Sequence, residues 1–111
     1  MASLLAAVTG WSTSSFEIMQ FGKRRLDLMR VYNLREGLTA ADDTLPERFF
    51  TEPVGAGRWA QTHLDRERFQ AAIRTYYRMM GWDDAGRPST ETLVDGHLEW
   101  VVRDGYADWI A

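Results

Sequence analysis

Few residues in this sequence could do chemistry, and none of their spacings matches a catalytic motif. His63 lies two residues before Asp65, and a histidine beside a carboxylate can act as an acid–base couple. Since Asp65 is predicted to begin a helix, a solvated histidine in the preceding loop is the favoured interpretation. His97 lies near Glu99 on a predicted helix, and the row Glu91, Asp95 and Glu99 at four-residue spacing is typical of a solvated helix face.

A calcium loop is the nearest match to a metal site, and its spacing fails. The segment 83–88 begins with two aspartates and contains Gly86. With Asp83 as the first position of a calcium loop, Ala85 and Arg87 occupy positions three and five, which need oxygen ligands. Val94 occupies position twelve, where a glutamate is needed. The segment is therefore predicted to be a turn between two helices.

Composition narrows the possible functions further. The 111 residues suffice for one domain or part of one, with 45% hydrophobic and 26% charged residues. A net charge of -3 gives no basic field for nucleic acid. The absence of cysteine excludes thiolate zinc sites, a cysteine nucleophile and a cysteine-ligated iron–sulfur cluster within the chain. The apolar run Leu4 to Val8 is too short for a signal core or a membrane span, so a cytoplasmic protein without membrane contact is expected.

The elements that must position these residues are all predicted to be helices. Residues 1–111 are expected to form a single unit, a small irregular all-α domain of four to five helices with one long central helix. Ser14 and Glu17 form a capping box that begins this central helix, and Gly37 ends it. A short helix is predicted over 3–8, another over 65–80, and a last one from Ser89 or Thr90, weakened by Gly96 and Gly105.

The central helix carries two apolar rows, which predict a wide buried stripe and more than one neighbouring element. The first row is Ile18, Gly22, Leu26 and Met29, and the second is Phe21, Leu28 and Tyr32. A glycine inside a helix costs about 1 kcal/mol relative to alanine, so Gly22 is predicted to mark a close helix crossing. The five tryptophans and this stripe suggest a surface that meets another polypeptide.

With Asn33-Leu34-Arg35-Glu36-Gly37 at its centre, a long ordered series of motifs resembles the C-terminal region of the tungsten-containing aldehyde ferredoxin oxidoreductases. It runs from about Leu4 to Leu98. Its central part is Asn33-Leu34-Arg35-Glu36-Gly37-Leu38-Thr39 followed by Asp42-Asp43-Thr44-Leu45-Pro46-Glu47-Arg48-Phe49. Around it stand Val8-Thr9-Gly10-Trp11, Gly22, Arg24, Arg30, Glu52-Pro53, Tyr76-Tyr77-Arg78, Gly81-Trp82-Asp83 and Gly86-Arg87-Pro88. Departures from the family pattern are Arg25 for an apolar residue, Asp27 for asparagine and Met29 for an acidic residue.

The resemblance implies an oxidoreductase, with its chemistry outside this segment. Family enzymes oxidise aldehydes to carboxylic acids at tungsten or molybdenum held by two pterins, and pass electrons through a 4Fe-4S cluster to ferredoxin. Their cluster cysteines and pterin motifs lie upstream of the matched segment. No catalytic, cofactor-binding or metal-binding residue can therefore be assigned here, and no cofactor is expected to bind this chain alone.

The motif residues are instead predicted to form a structural corner. The positive charge of Arg35 is favourable at the partially negative C-terminal end of the central helix. The negative charge of Glu36 is unfavourable there and needs a partner to offset it. Asp42 and Asp43 are adjacent, would point in different directions on a turn, and are interpreted as capping and salt-bridge residues. With Arg48 they are the expected partners in a corner whose residues are Gly22, Asn33, Arg35, Glu36, Gly37, Asp42, Asp43, Pro46 and Arg48.

Two classes of function stay open at this point. The leading interpretation is a structural segment of an aldehyde ferredoxin oxidoreductase-like enzyme, with the remaining polypeptide or a separate subunit as its partner. The alternative is a freestanding helical interaction module derived from that fold, without a redox role. In either case the apolar surface of the central helix predicts self-association of the isolated chain.

Overall fold

The computed structural model describes residues 1–53 and 55–110, and its regular structure there is helical. Strand pairing in that part of the chain is limited to one isolated bridge, between Trp82 and Pro88. The helices are α1 (Ala2–Thr9), α2 (Ser15–Arg35), α3 (Arg48–Thr51), α4 (Arg66–Met80), α5 (Thr90–Asp95) and α6 (Glu99–Arg103), with a 3₁₀ turn at Ala40–Asp42. The prediction of an all-α fold with one long helix is confirmed.

Local capping explains where the long helices begin and end. At α2, the Ser14 side chain accepts a hydrogen bond from the Glu17 amide, and the Glu17 carboxylate accepts one from the Ser14 amide. Gly37 follows the end of this helix with a φ of 95°. Asp65 caps α4 through the Arg68 amide. These boundaries agree with the predicted ones because caps depend on residues within one turn.

The last predicted helix is divided into two. Ser89 caps α5 as expected, but the chain turns at Gly96 and His97 before α6 begins. His97 has a φ of 55°, a left-handed conformation that ends regular helix. The described part of the chain therefore has six α-helices rather than four or five.

The hydrophobic core lies between the C-terminal half of α2 and the two short helices α5 and α6. Its buried members are Val31, Leu93, Leu98, Val101 and Ala107, with Leu28, Trp100, Val102, Tyr106, Trp109 and Ile110 packed against them. A second contact joins α3 to α4, where the rings of Phe50 and Phe69 meet edge to face at 5.4 Å. Phe49, the neighbour of Phe50 on α3, is 41% exposed. Neighbouring residues of a helix differ by about 100° in direction, so Phe49 is turned away from Phe69 when Phe50 faces it.

The wide buried stripe predicted for α2 is also wrong for this chain. The buried residues of α2 are Asp27, Arg30 and Val31, while Leu26 and Met29 of the predicted stripe are 46% and 48% exposed. A Cβ added at Gly22 would meet no atom within 4 Å, so no described segment crosses the helix there. The inward face of α2 therefore combines the apolar core contacts of Val31 and Leu28 with the buried charges of Asp27 and Arg30.

The chain is more extended than a compact domain of its size. Its radius of gyration is 18.3 Å, against roughly 13 Å expected for 111 residues. Its accessible surface is 8549 Å², against roughly 6,300 Å² for a folded monomer of 12.8 kDa. The helix α1 contributes no buried residue. None of the described helices combines the length and apolar character needed to cross a lipid bilayer.

Candidate functional site

The side chain of Arg30 connects α2 with the 3₁₀ turn, the end of α4 and the turn at 83–88. Its guanidinium donates from Nη1 and Nη2 to the two carboxylate oxygens of Asp43, at 2.9 and 2.6 Å. Its Nε donates to the carbonyl oxygen of Gly86 at 2.7 Å. Its Cζ lies 5.6 Å from the ring centroid of Tyr77 and 5.1 Å from that of Trp82. Arg30 is only 7% exposed, so these contacts replace water around a buried charge.

A second buried charge lies one turn before it on α2. Asp27 is fully buried, and its two carboxylate oxygens accept hydrogen bonds from Trp82 Nε1 at 2.9 Å and Lys23 Nζ at 2.7 Å. Trp82 therefore contacts both charges, one through its indole N–H and the other through its ring face. We call the set Arg30, Asp43, Gly86, Tyr77, Trp82 and Asp27 the Arg30 network.

The carboxylate of Asp43 is held in its charged form by this network. Burial raises the pKa of Asp43, but hydrogen bonds from Arg30 and Tyr77 and the charge of Arg30 outweigh that effect, so the pKa lies below its ordinary value. The Tyr77 hydroxyl donates to Asp43 Oδ2. Burial and this carboxylate together raise the pKa of Tyr77 to about 12. Neither group can exchange a proton easily near neutral pH, which argues against acid–base catalysis here.

Glycine is required at one point of the network. Gly86 has a φ of 71°, in the left-handed region that favours glycine. A Cβ at this position would overlap Arg30 Nη2 and lie 2.9 Å from Tyr77 Cζ. The turn is fixed further by Asp83, whose Oδ1 accepts hydrogen bonds from the amides of Ala85 and Arg87 at 2.9 and 3.0 Å. The turn predicted for segment 83–88 is thus confirmed.

The residues of the predicted corner have partners other than those expected. No ion pair among the described residues joins Arg35 or Glu36 to Asp42, Asp43 or Arg48, so the predicted salt bridges are wrong. The reason is direction, because Arg35 points toward α6 and lies over the ring of Tyr106, with 4.6 Å from Cζ to the centroid. Glu36 is the C-terminal cap of α2 and is exposed.

The remaining motif residues act locally. The Asp42 carboxylate accepts from the Thr39 amide at 2.7 Å and from the Thr39 hydroxyl at 3.1 Å, which closes the 3₁₀ turn. The carbonyl of Asn33 accepts from the Leu38 amide, and that of Pro46 from the Phe49 amide. Arg48 lies over the ring of Phe49, its own neighbour in sequence, at 5.3 Å. Of the predicted corner residues, only Asp43 joins the Arg30 network.

The sequence alone did not identify Arg30, Asp27, Tyr77 and Trp82 as one network. One signal was available, because Asp27 and Arg30 share a helical face with Val31 and Leu34. Charged residues in register with apolar ones on a helix indicate buried polar pairing. Their partners at positions 77–86 are too far along the chain to be found from local spacing.

The described residues do not form a metal centre. Among residues 1–53 and 55–110, no three His, Cys, Asp or Glu side chains come together in a way that could hold a metal ion. His63 is exposed, and its Nδ1 lies 3.2 Å from the carbonyl oxygen of Leu64. Because the sequence contains no cysteine, it supplies no thiolate for an iron–sulfur cluster.

Known proteins share both the sequence pattern and the fold. This chain is similar to three proteins named tungsten-containing aldehyde ferredoxin oxidoreductase. It is 34% identical to the protein of Pyrococcus furiosus, 34% to that of Pyrococcus horikoshii and 35% to that of Thermococcus kodakarensis. These alignments cover 83%, 86% and 76% of this chain but only 15%, 16% and 14% of those proteins. The chain thus spans about one-sixth of the length of these relatives.

A solved structure contains the same fold as part of a larger molecule. It is the active site complex BamBC of benzoyl-coenzyme A reductase with 1,5-dienoyl-CoA, with a TM-score of 0.74 and 24% identity. The superposition covers 99% of this chain and 15% of that one. Residues 1–98 match the family model described as aldehyde ferredoxin oxidoreductase, domains 2 and 3. The chain therefore belongs to the aldehyde ferredoxin oxidoreductase family.

Proposed function

We propose that the chain is the C-terminal helical segment of an aldehyde ferredoxin oxidoreductase-like enzyme and has a structural role in it. The observation that carries this proposal is the family match over residues 1–98, at about 15% of the relatives' length. The whole enzyme would oxidise an aldehyde to a carboxylate and pass the electrons through an iron–sulfur cluster to ferredoxin. The proposal places it in the cytoplasm, as the sequence predicts.

The structural role follows from what the Arg30 network can do. Every polar group at its centre is already paired within the chain, which leaves Arg30 and Asp43 committed to each other and to Gly86 and Tyr77. Such a network fixes α2 against the turn at 83–88. In the whole enzyme it would brace helices beside the cofactor cavity, while the tungsten or molybdenum bis-pterin and the 4Fe-4S cluster are bound by residues outside these 111.

The first test is the mass and metal content of the natural product. An antibody against this chain is used for an immunoblot of the source cells and for immunoprecipitation, and tungsten, molybdenum and iron are measured in the precipitate. We expect a band several times heavier than 12.8 kDa, or a complex of that size, with stoichiometric metal. A metal-free band at 12.8 kDa would instead support the freestanding interaction module. A precipitate with unrelated antibody sets the metal background.

A second test separates a structural role from a catalytic one. Arg30→Ala in the whole enzyme should lower the amount of folded, metal-containing protein, while aldehyde oxidation per tungsten or molybdenum atom stays unchanged. Arg103→Ala is the matched control, because Arg103 is an exposed arginine paired only with its neighbour Asp104. If activity per metal atom falls with Arg30→Ala and not with Arg103→Ala, the purely structural role is wrong.

A further inference from the structure

The side of α2 that faces away from the core is apolar along most of its length. We call it the outer face of α2, and it consists of Ile18, Phe21, Gly22, Leu26, Met29 and Tyr32. At about 100° of rotation per residue, these residues lie within roughly 140° of one another around the helix axis and so share a side of the helix. Phe21 and Tyr32 are 69% and 61% exposed. Side chains of this kind on a helix of 21 residues favour contact with another apolar element.

Gly22 lies in the middle of this face and is open. Apart from the backbone of its own helix, no described atom lies within 4 Å of the position of a Cβ. Its helical backbone does not need glycine, since its φ is not positive. A glycine there costs helix stability of about 1 kcal/mol relative to alanine. A notch at the centre of an apolar face is what allows a second helix to approach closely.

We propose that the outer face of α2 packs against a helix of the oxidoreductase polypeptide that lies outside these 111 residues, with the crossing point at Gly22. This inference rests on the proposed function. The accessible surface of the whole chain exceeds that of a folded monomer by about 2,200 Å², which is enough for an extensive interface with further polypeptide. In the solved relative of this fold, the same arrangement makes up 15% of a larger chain.

Charge distinguishes this occupant from a second copy of the chain. Arg25 lies within the outer face, between Phe21 and Met29, and has no ion pair among the described residues. A symmetric pair of α2 helices would bring a second arginine into the same contact, where like charges are costly. A different helix can supply a carboxylate opposite Arg25. The occupant is therefore an apolar helix that carries an aspartate or glutamate.

Photo-crosslinking in the natural product tests the contact directly. The crosslinking residue p-benzoylphenylalanine replaces Leu26 or Met29 in the full protein or complex, and the crosslinked peptides are identified by mass spectrometry. We expect peptides from outside the 111 residues, within one helix that contains an acidic residue. Crosslinks to a second copy of α2, or none above an unirradiated sample, would overturn the proposal.

Substitution at the notch supplies the second measurement. Gly22→Leu should reduce the crosslinking yield from Met29 at least fivefold, because its side chain fills the crossing point. Ala72→Leu adds comparable bulk at an exposed position of α4 and should leave that yield unchanged. Equal yields in both variants would contradict a crossing at Gly22.

The outcomes also separate this inference from the proposed function. A metal-containing product whose Leu26 reaches no residue outside the segment refutes the contact alone. A metal-free product of 12.8 kDa refutes the proposed function and, with it, this occupant.

Discussion

The guanidinium of Arg30 and the carboxylate of Asp43 form a two-point ion pair across 13 residues of the chain. The pair joins the middle of α2 to the 3₁₀ turn that follows it, and the same guanidinium reaches the carbonyl of Gly86. Because Arg30 is buried, each partner is needed to offset the loss of water around its charge.

Arg30→Ala is expected to destabilise the 111-residue chain by about 3 kcal/mol, since it leaves the Asp43 carboxylate and the Gly86 carbonyl without their donor. Arg35→Ala is the control on the same helix. It removes an exposed arginine that lies over Tyr106, and should cost less than about 1 kcal/mol. Denaturant unfolding of both variants measures the two values. Similar losses of unfolding free energy in the two variants would contradict a distinct stabilising contribution from the Arg30 network.

The pKa of Asp43 predicts a loss of stability in acid. Burial raises this pKa, but the hydrogen bonds from Arg30 and Tyr77 and the charge of Arg30 lower it by more. The pKa in the folded state is therefore below that in the unfolded state. The stabilising contribution is therefore complete above about pH 4 and disappears as the pH falls through the lowered value. Asp43→Asn should flatten the dependence of the unfolding midpoint on pH below 4. The exposed substitution Asp84→Asn should preserve it.

Tyr77 predicts a loss of stability at the other end of the pH range. Its folded pKa of about 12 exceeds the unfolded value near 10, so its stabilising contribution is complete below pH 10 and is lost as the pH rises toward 12. Absorbance at 295 nm should reveal a late titration step from Tyr77. Tyr77→Phe should remove that step and cost about 1 kcal/mol, because Asp43 loses a donor. If the step survives in Tyr77→Phe, it belongs to another tyrosine.

Alanine at two glycines should change stability in opposite directions. Gly22→Ala should stabilise the 111-residue chain by about 1 kcal/mol, because the added Cβ meets only open space in a helix. Gly86→Ala should destabilise it by more than about 1 kcal/mol, because alanine resists the φ of 71° and the Cβ overlaps Arg30 Nη2. Thermal unfolding compares the pair with the unaltered chain. Two shifts of the same sign would contradict the geometry at one of the sites.

Features set within one helical turn could be predicted from the sequence, and features set by distant partners could not. The capping box of Ser14 and Glu17, the cap at Asp65 and the glycine after α2 all depend on neighbours within four residues. The motif residues predict a partner for Asp43 near the end of α2, whereas the structure pairs Asp43 with Arg30. The choice between Arg30 and Arg35 depends on which side of α2 faces the turn at 83–88, and no local pattern specifies that.

The burial of α2 illustrates the same limit. The apolar periodicity of α2 predicts that its apolar side faces the core, yet the side that faces inward carries Asp27 and Arg30. Hydrophobic spacing identifies a face that prefers to leave water, but does not say whether its neighbour lies within the same 111 residues. The exposed Leu26 and Met29 are consistent with a neighbour elsewhere.

The contact between Arg30 and Gly86 has a consequence for the order of events during synthesis. The ribosome adds Gly86 after 56 further residues, roughly 3 to 11 s at 5–20 residues per second. During that interval α2 already has its own N-terminal cap, while the other partners of Arg30 are added in turn, first Asp43 and then Tyr77 and Trp82. The tertiary contacts of nascent α2 therefore stay incomplete until the turn at 83–88 has been synthesised. Elongation through this turn sets the earliest time at which the Arg30 network can form.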